Sequence, residues 1–331
     1  MTSLPTTVQE YFTGYLVNQR RASPRTVASY RDAFCLLLRY AKDRTGREPS
    51  QLDFVDLDAA VITGFLHHLE TERANSVPTR NARLAAIHSF YRFAAYRHPE
   101  HSALIAGVLA IPTKRTDSQV VSFLDDNEID ALLAAPDADT WRGSRDRALL
   151  AVAADTGLRV AELTALCRRD VQFGTGAHVT CFGKGRKQRT TPLSHWAAAI
   201  IQAWLSTHPG RDEEPLFPSE RAGHLSSDAV QRLVTKHART ATQSCPSVGA
   251  KKVTPHTLRH SCAMKMLRSG VDVTVIALWL GHEKLDSTNK YLHADLTIKE
   301  RALARTAPQT GGRRPARYRP KDKILTFLEG L

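Results

Sequence analysis

The sequence predicts two domains: an all-helical N-terminal bundle, then a mainly helical α+β domain built around one small antiparallel sheet. Three observations carry this. A helical period of apolar residues recurs four times in the first hundred residues, and the stretch 112–121 has no apolar period at all. A single pair of β-branched segments then flanks a glycine-rich basic turn. The length of 331 residues, at about 150 per domain, agrees with two.

The first helix is read from Val8, Tyr11, Phe12, Tyr15 and Leu16, which share one face at i, i+3, i+4, i+7 and i+8. Ser23-Pro24 pairs an N-cap with proline at the first helical position, opening a second helix with the stripe Val27, Tyr30, Phe34, Leu37, Leu38 and Ala41. Thr45-Gly46 ends it. Asp58 caps a third helix carrying Val61, Ile62, Phe65, Leu66 and Leu69. A fourth runs through Leu84, Ile87, Phe90, Tyr91 and Ala94 to His98-Pro99. Four such helices make a bundle over residues 1–111. A linker is expected at 112–121, where a proline and charged side chains break the pattern.

The second domain, 122–300, resumes helical signals at Asp125 and passes through Asp155-Thr156-Gly157 into a helix at Leu158–Cys167. His178–Phe182 and Gln188–Leu193 read as hairpin strands, and the remainder is mostly helical. Residues 301–331 form a basic tail. Nine Lys or Arg stand against two acids over residues 297–323, and a last amphipathic helix, Asp322–Leu331, presents Ile324, Leu325, Phe327, Leu328 and Leu331 for docking on this chain or a neighbouring one.

Lys and Arg exceed Asp and Glu by 46 to 33, a net charge of +13 with pI near 9.8. This argues for a polyanionic partner, nucleic acid before a membrane surface. Apolar runs such as Ala148–Ala154 fall far short of the ~20 residues that span a bilayer. The N-terminus has no basic and apolar secretory pattern. The five cysteines, Cys35, Cys167, Cys181, Cys245 and Cys262, form no C-x-x-C pair and read as buried thiols of a reducing cytoplasm.

Four strings carry chemistry: Thr156–Leu163 (TGLRVAEL), Gly183–Lys187 (GKGRK), His256–His260 (HTLRH), and Leu280-Gly281-His282 with Tyr291 nine residues on. His256 and Arg259 project from one helix face, and a guanidinium beside an imidazole suits an oxyanion. Each signal also has a plain reading. An HxxR pair is often a solvated surface, and Arg159 with Glu162 at i+3 is often only an ion pair. A lone tyrosine is often core. Zinc at His256, His260 and His282 is disfavoured, because no glutamate follows the first histidine and Arg259 would repel a dication.

Taken in order, the four strings resemble the tyrosine recombinases, the phage-integrase-like site-specific recombinases, of the mobile-element integrase type. The likeness is close over residues 121–296 and looser over the N-terminal helices, which resemble the family's SAM-like core-DNA-binding domain. It implies a site-specific DNA recombinase or integrase that cuts and rejoins strands through a 3′-phosphotyrosine link. Tyr291 would be the nucleophile. Arg159, Arg259 and His282 would meet charge on the phosphate, with His256 as general base and Lys184 as general acid. Glu162 and His260 are expected to support these groups from behind, and Arg186, Lys187 and Arg189 to touch the DNA backbone. No metal or other cofactor is implied. The expected partner is a double-stranded recombination site, held by a homotetramer, or an assembly with sister recombinases, on two duplexes. The alternatives are a type IB topoisomerase-like relaxase and a non-catalytic DNA-binding regulator on the same fold.

Overall fold

The structure is a computed structural model that describes residues 3–116, 121–174, 176–183 and 188–281, together with Thr288 and Tyr291. Contacts divide the chain into two compact units, Met1–Ser118 and Gln119–Leu331.

In the first unit, α1 (Leu4–Glu10) runs into a π-helical segment, Tyr11–Gln19. α2 (Pro24–Thr45) starts as expected: the Ser23 hydroxyl accepts from the Thr26 amide at 3.2 Å, and Gly46 ends the helix in the left-handed region with φ +71°. Asp58 caps α3 (Ala59–Thr71) by accepting from the Val61 amide at 2.8 Å. α4 (Val77–Ala95) follows, and then α5 (Ser102–Leu109), which the sequence reading left out. The stripes meet in one core in which Tyr11, Phe54, Phe65, Phe90 and Tyr91 are buried. The Tyr91 hydroxyl donates to the Leu57 carbonyl at 2.6 Å, so the one polar atom on that ring is satisfied inside the bundle.

The start of the expected linker is fastened to this unit. Arg80 donates to the Pro112 carbonyl at 3.1 Å, Asn81 exchanges two hydrogen bonds with the Lys114 backbone, and Lys114 pairs with Glu70 at 2.8 Å.

The second unit has α6 (Asp126–Ala134), α7 (Trp141–Thr156), α8 (Val160–Ala165), α9 (His195–Thr207), α10 (Ser227–Ala241), α11 (Pro255–Arg268) and α12 (Val273–Leu280). Helix α7 is its axis. Residues Ala148–Ala153 are almost wholly buried, because α6, α9 and α11 all pack on α7, and a helix covered on every side is apolar all round. A three-stranded antiparallel sheet stands beside the helices, in the order β1 (Val171–Gln172), β2 (His178–Phe182), β3 (Gln188–Pro192). The expected hairpin is β2–β3. β1 adds a third strand that the sequence reading lacked.

All five cysteines are free, but only Cys181 and Cys262 are buried as expected; Cys167 and Cys245 are half-buried, and Cys35 is exposed on the outer face of α2, off the stripe that fills the core. Among the described residues no helix is long and apolar enough to cross a membrane. The basic tail and its last helix lie outside the described residues.

Candidate active site

The site forms where three helix ends meet. α7 stops at Gly157, whose φ of +61° is open to glycine and costs other residues about 1–2 kcal/mol. The chain reverses there, and Arg159 becomes the N-cap of α8, with Glu162 at the third helical position. The Glu162 carboxylate accepts from the Arg159 amide at 2.8 Å and from Arg159 Nη1 at 2.9 Å. One side chain therefore closes the helix and holds the guanidinium. α12 ends at Gly281, also left-handed, with φ +65°.

The carbonyls at the end of α12 gather the cations. Arg259 Nη2 donates to the Leu280 carbonyl at 2.7 Å, and Arg159 Nη2 to the Gly281 carbonyl at 2.8 Å. Arg189 Nη1 shares the Leu280 carbonyl at 2.8 Å. A helix C-terminus carries unsatisfied carbonyls and partial negative charge, so it suits guanidiniums. Arg259 also donates to the Gly157 carbonyl at 2.7 Å, tying the end of α7 to the end of α12 through α11. Trp279 repeats the tie, its indole N–H donating to the Thr156 carbonyl at 3.1 Å.

Arg259 is 3% exposed. Burial, with Arg159 nearby, pushes its pKa down to about 10, so it stays charged at neutral pH. Arg159 is 39% exposed and can reach a ligand. The Glu162 carboxylate pairs with Arg159 and Arg189, and Arg259 adds a third positive charge near Arg159, which leaves an electropositive site suited to a phosphate diester.

Arg189, expected at the DNA backbone, donates from Nη2 to Glu162 at 2.8 Å, and its side chain is 14% exposed. The sheet register explains this. Arg189 stands directly opposite Cys181, and opposed residues in an antiparallel pair share a face. That face is the buried one, so Arg189 turns toward the site.

Tyr291 is 1% exposed and belongs to one buried apolar cluster with Ala263, Met264, Leu267, Ile276 and Leu280. Burial pushes its pKa up to about 12, while Arg259 and Arg159 pull it the other way. His260, expected to sit behind the reacting groups, instead places Nδ1 2.9 Å from the Tyr291 hydroxyl. His256 lies one turn earlier on α11, its ring centroid 4.1 Å from that of His260. Among the expected site residues the structure thus brings together Arg159, Arg259, His256, His260, Glu162 and Tyr291. Lys184, Arg186, Lys187 and His282 lie outside the described residues. Among the described residues no group of three or more His, Cys, Asp or Glu is placed to hold a metal ion.

The sequence reading missed the Leu280 and Gly281 carbonyls, because backbone acceptors carry no residue-type signal. The available clue was an apolar run ending in Leu-Gly, which marks a helix C-terminus.

Residues 122–297 match the phage integrase family, and residues 9–98 match the phage integrase N-terminal SAM-like domain. The chain belongs to the phage integrase family. A Sinorhizobium fredii protein named as integrase/recombinase y4rC is 49% identical over 329 residues, covering 99% of this chain and 98% of its own. The tyrosine recombinase XerC of Pelobacter propionicus is 33% identical over 284 residues, covering 85% of this chain and 89% of its own. Among solved structures, the Tn1549 transposon integrase in complex with a circular intermediate DNA aligns with a TM-score of 0.68 at 14% identity, over 90% of this chain and 99% of that one. At that identity the likeness shows the fold: a SAM-like helical domain followed by the catalytic domain with its small sheet. This phage-integrase family member is a tyrosine-type site-specific recombinase.

Proposed function

We propose that this recombinase binds a duplex recombination site and breaks one strand by attack of Tyr291 on a phosphodiester, leaving a 3′-phosphotyrosine link and a free 5′-hydroxyl. The observation that carries this is the gathering of Arg159 and Arg259 on the last carbonyls of α12, with the Tyr291 phenol near enough for both guanidiniums to draw its pKa down.

The physics follows from the charge of the target. A phosphodiester repels nucleophiles, and negative charge builds on its non-bridging oxygens at the transition state. Arg159 and Arg259 are held in advance by carbonyls and by Glu162, so they meet that charge without reorganising; one such preorganised donor is worth about 10²–10³ in rate. In the same reading His282 adds a hydrogen bond and Lys184 protonates the departing 5′-oxygen. His256 is the family-implied base, and its ring lies against that of His260. The phosphotyrosine ester keeps the energy of the broken bond, so the 5′-hydroxyl of a partner strand rejoins by the reverse step.

Exchange between two duplexes calls for four protomers, or a mixed set with sister recombinases, and the segment Asp322–Leu331 is our candidate for a contact between them. As an enzyme acting on DNA, it is proposed to work in the cytoplasm.

The test uses candidate attachment-site duplexes nicked to trap intermediates. A covalent protein–DNA adduct should form with the wild type and vanish in Tyr291→Phe. An adduct that persists in that variant would exclude Tyr291 as nucleophile.

A further inference from the structure

We infer that His260, and not His256, is the group that takes the phenolic proton from Tyr291 when the strand is cut. The inference rests on the phosphotyrosine reading and specifies its first proton transfer.

Geometry comes first for a general base, which must lie within about 2.6–3.2 Å of the atom it deprotonates. His260 Nδ1 meets this at 2.9 Å from the Tyr291 hydroxyl, with the two rings inclined at 67°. For the transfer the phenolic O–H donates to Nδ1, which requires a neutral His260 to carry its own proton on Nε2.

Depth divides the roles of the two imidazoles. His256 is exposed, His260 half-buried and Tyr291 buried, so α11 presents one ring to the solvent side and the next to the phenol. His256 is positioned to meet an arriving phosphate, and His260 is already at the nucleophile. The supporting helix is well anchored. Pro255 occupies its first turn, the Thr254 hydroxyl accepts from the Thr257 amide at 3.1 Å, and Arg259 is bonded at both ends of its fork.

The step balances within the site. The Tyr291 O–H bond breaks and an N–H bond forms at His260 Nδ1, giving an imidazolium. The phenolate oxygen bonds to phosphorus as the bond to the 5′-oxygen breaks, and that oxygen takes its proton from the general acid. On rejoining, the imidazolium returns its proton to the phenolate. Among the described residues, the charged and titratable groups around this exchange include His256, Arg259 and Cys262 on α11 and Arg159 at the start of α8.

The experiment measures the rate of adduct formation on a nicked attachment-site duplex from pH 6.5 to 9.5, for the wild type, His260→Asn and His256→Asn, with DNA affinity measured in parallel. Asparagine puts an amide oxygen near the position of Nδ1, so it accepts the phenol's hydrogen bond but does not take its proton. His260→Asn should bind DNA like the wild type and cut about 100-fold more slowly at pH 7, within the range for general-base loss. Its rate should climb about tenfold per pH unit as solvent removes the proton, whereas the wild type and His256→Asn level off. Cutting by His260→Asn within threefold of the wild type across the range overturns the inference. So does a steady climb in His256→Asn, which decides the matter even where His260→Asn fails to fold. A wild type that yields no adduct on any duplex overturns the phosphotyrosine reading itself, and this inference with it.

Discussion

Glu162 and Arg189 are joined by a 2.8 Å ion pair across 27 residues of chain, and both side chains are largely buried. The pair links the first turn of α8 to the inner face of β3. The same carboxylate holds Arg159, so one acidic side chain orients two of the three guanidiniums at the site.

Removing that carboxylate should therefore damage stability and chemistry together. Stripping one partner from a buried pair leaves an uncompensated charge and costs about 3–5 kcal/mol. Glu162→Ala should lose about 3 kcal/mol in urea unfolding, since Arg159 is partly solvated and contributes little of the penalty. Glu162→Gln keeps the shape and should lose less, while still cutting DNA more slowly than the wild type because Arg159 is held less firmly. Wild-type cutting by Glu162→Gln would show that the carboxylate does not position Arg159.

Much of this was legible in the chain. Ser23-Pro24 and Asp58 mark helix starts by a mechanism that depends only on neighbouring residues, and the structure bears out both caps. What failed depended on distant partners or on weak local signals. The segment forming α5, SALIAGVL, is apolar almost throughout and offers no polar phase to read, while His98-Pro99 reads as the end of the fourth helix. β1 has two residues, too few for an alternation. In the site, the two arginine strings and Tyr291 stand out by motif. Arg189 does not, because every cation in a basic turn looks alike until the register sets it opposite Cys181. Which histidine meets the phenol is likewise a matter of depth, which one helix period does not specify.

Gly157 is the second position where a small change should have large effects. Its carbonyl accepts from Arg259, and a Cβ there would meet Leu280 Cδ2 at 2.7 Å and Cys262 Sγ at 3.2 Å, on a backbone with φ +61°. Gly157→Ala should cost about 2 kcal/mol from the left-handed backbone and the crowding. It should also push the end of α12 away from the turn that carries Arg159. Misplacement by about 1 Å at a reacting centre costs about 10²-fold in rate, so adduct formation should fall far more than DNA affinity. Equal losses in both would show that the turn supports binding only.

The buried phenol should leave a mark on stability in alkali. Its pKa rises from 10.0 unfolded to about 12 folded, through burial. Between those values the folded state holds a proton that the unfolded chain has released, so the contribution is fully present below pH 10 and is lost as pH rises toward 12. At about 1.4 kcal/mol per unit, the full effect is roughly 2–3 kcal/mol, with about half gone by pH 11. Urea unfolding of the wild type and Tyr291→Phe at pH 8 and pH 11 isolates it, since other buried groups are common to both. The wild type should lose about 1 kcal/mol more than the variant; a parallel decline would mean that Tyr291 is not desolvated in solution.

The basic tail offers the last prediction, argued from sequence. Residues 313–331 carry Arg313, Arg314, Arg317, Arg319, Lys321 and Lys323, followed by Ile324, Leu325, Phe327, Leu328 and Leu331, whose spacing matches one face of a helix. A cation that binds a DNA phosphate releases a counterion, and each such contact adds about 0.9 to the slope of log affinity against log salt. An apolar face used between protomers adds nothing to that slope. If Asp322–Leu331 joins protomers, a chain truncated before Arg313 should bind a single site with nearly the wild-type salt slope, yet fail to assemble two duplexes and to recombine them. Titrations at several salt concentrations, run beside a plasmid recombination assay, separate the two uses. A slope reduced by several units, with recombination failing only where binding fails, would assign the tail to the DNA backbone. Undiminished recombination by the truncated chain would leave the tail without a part in assembly.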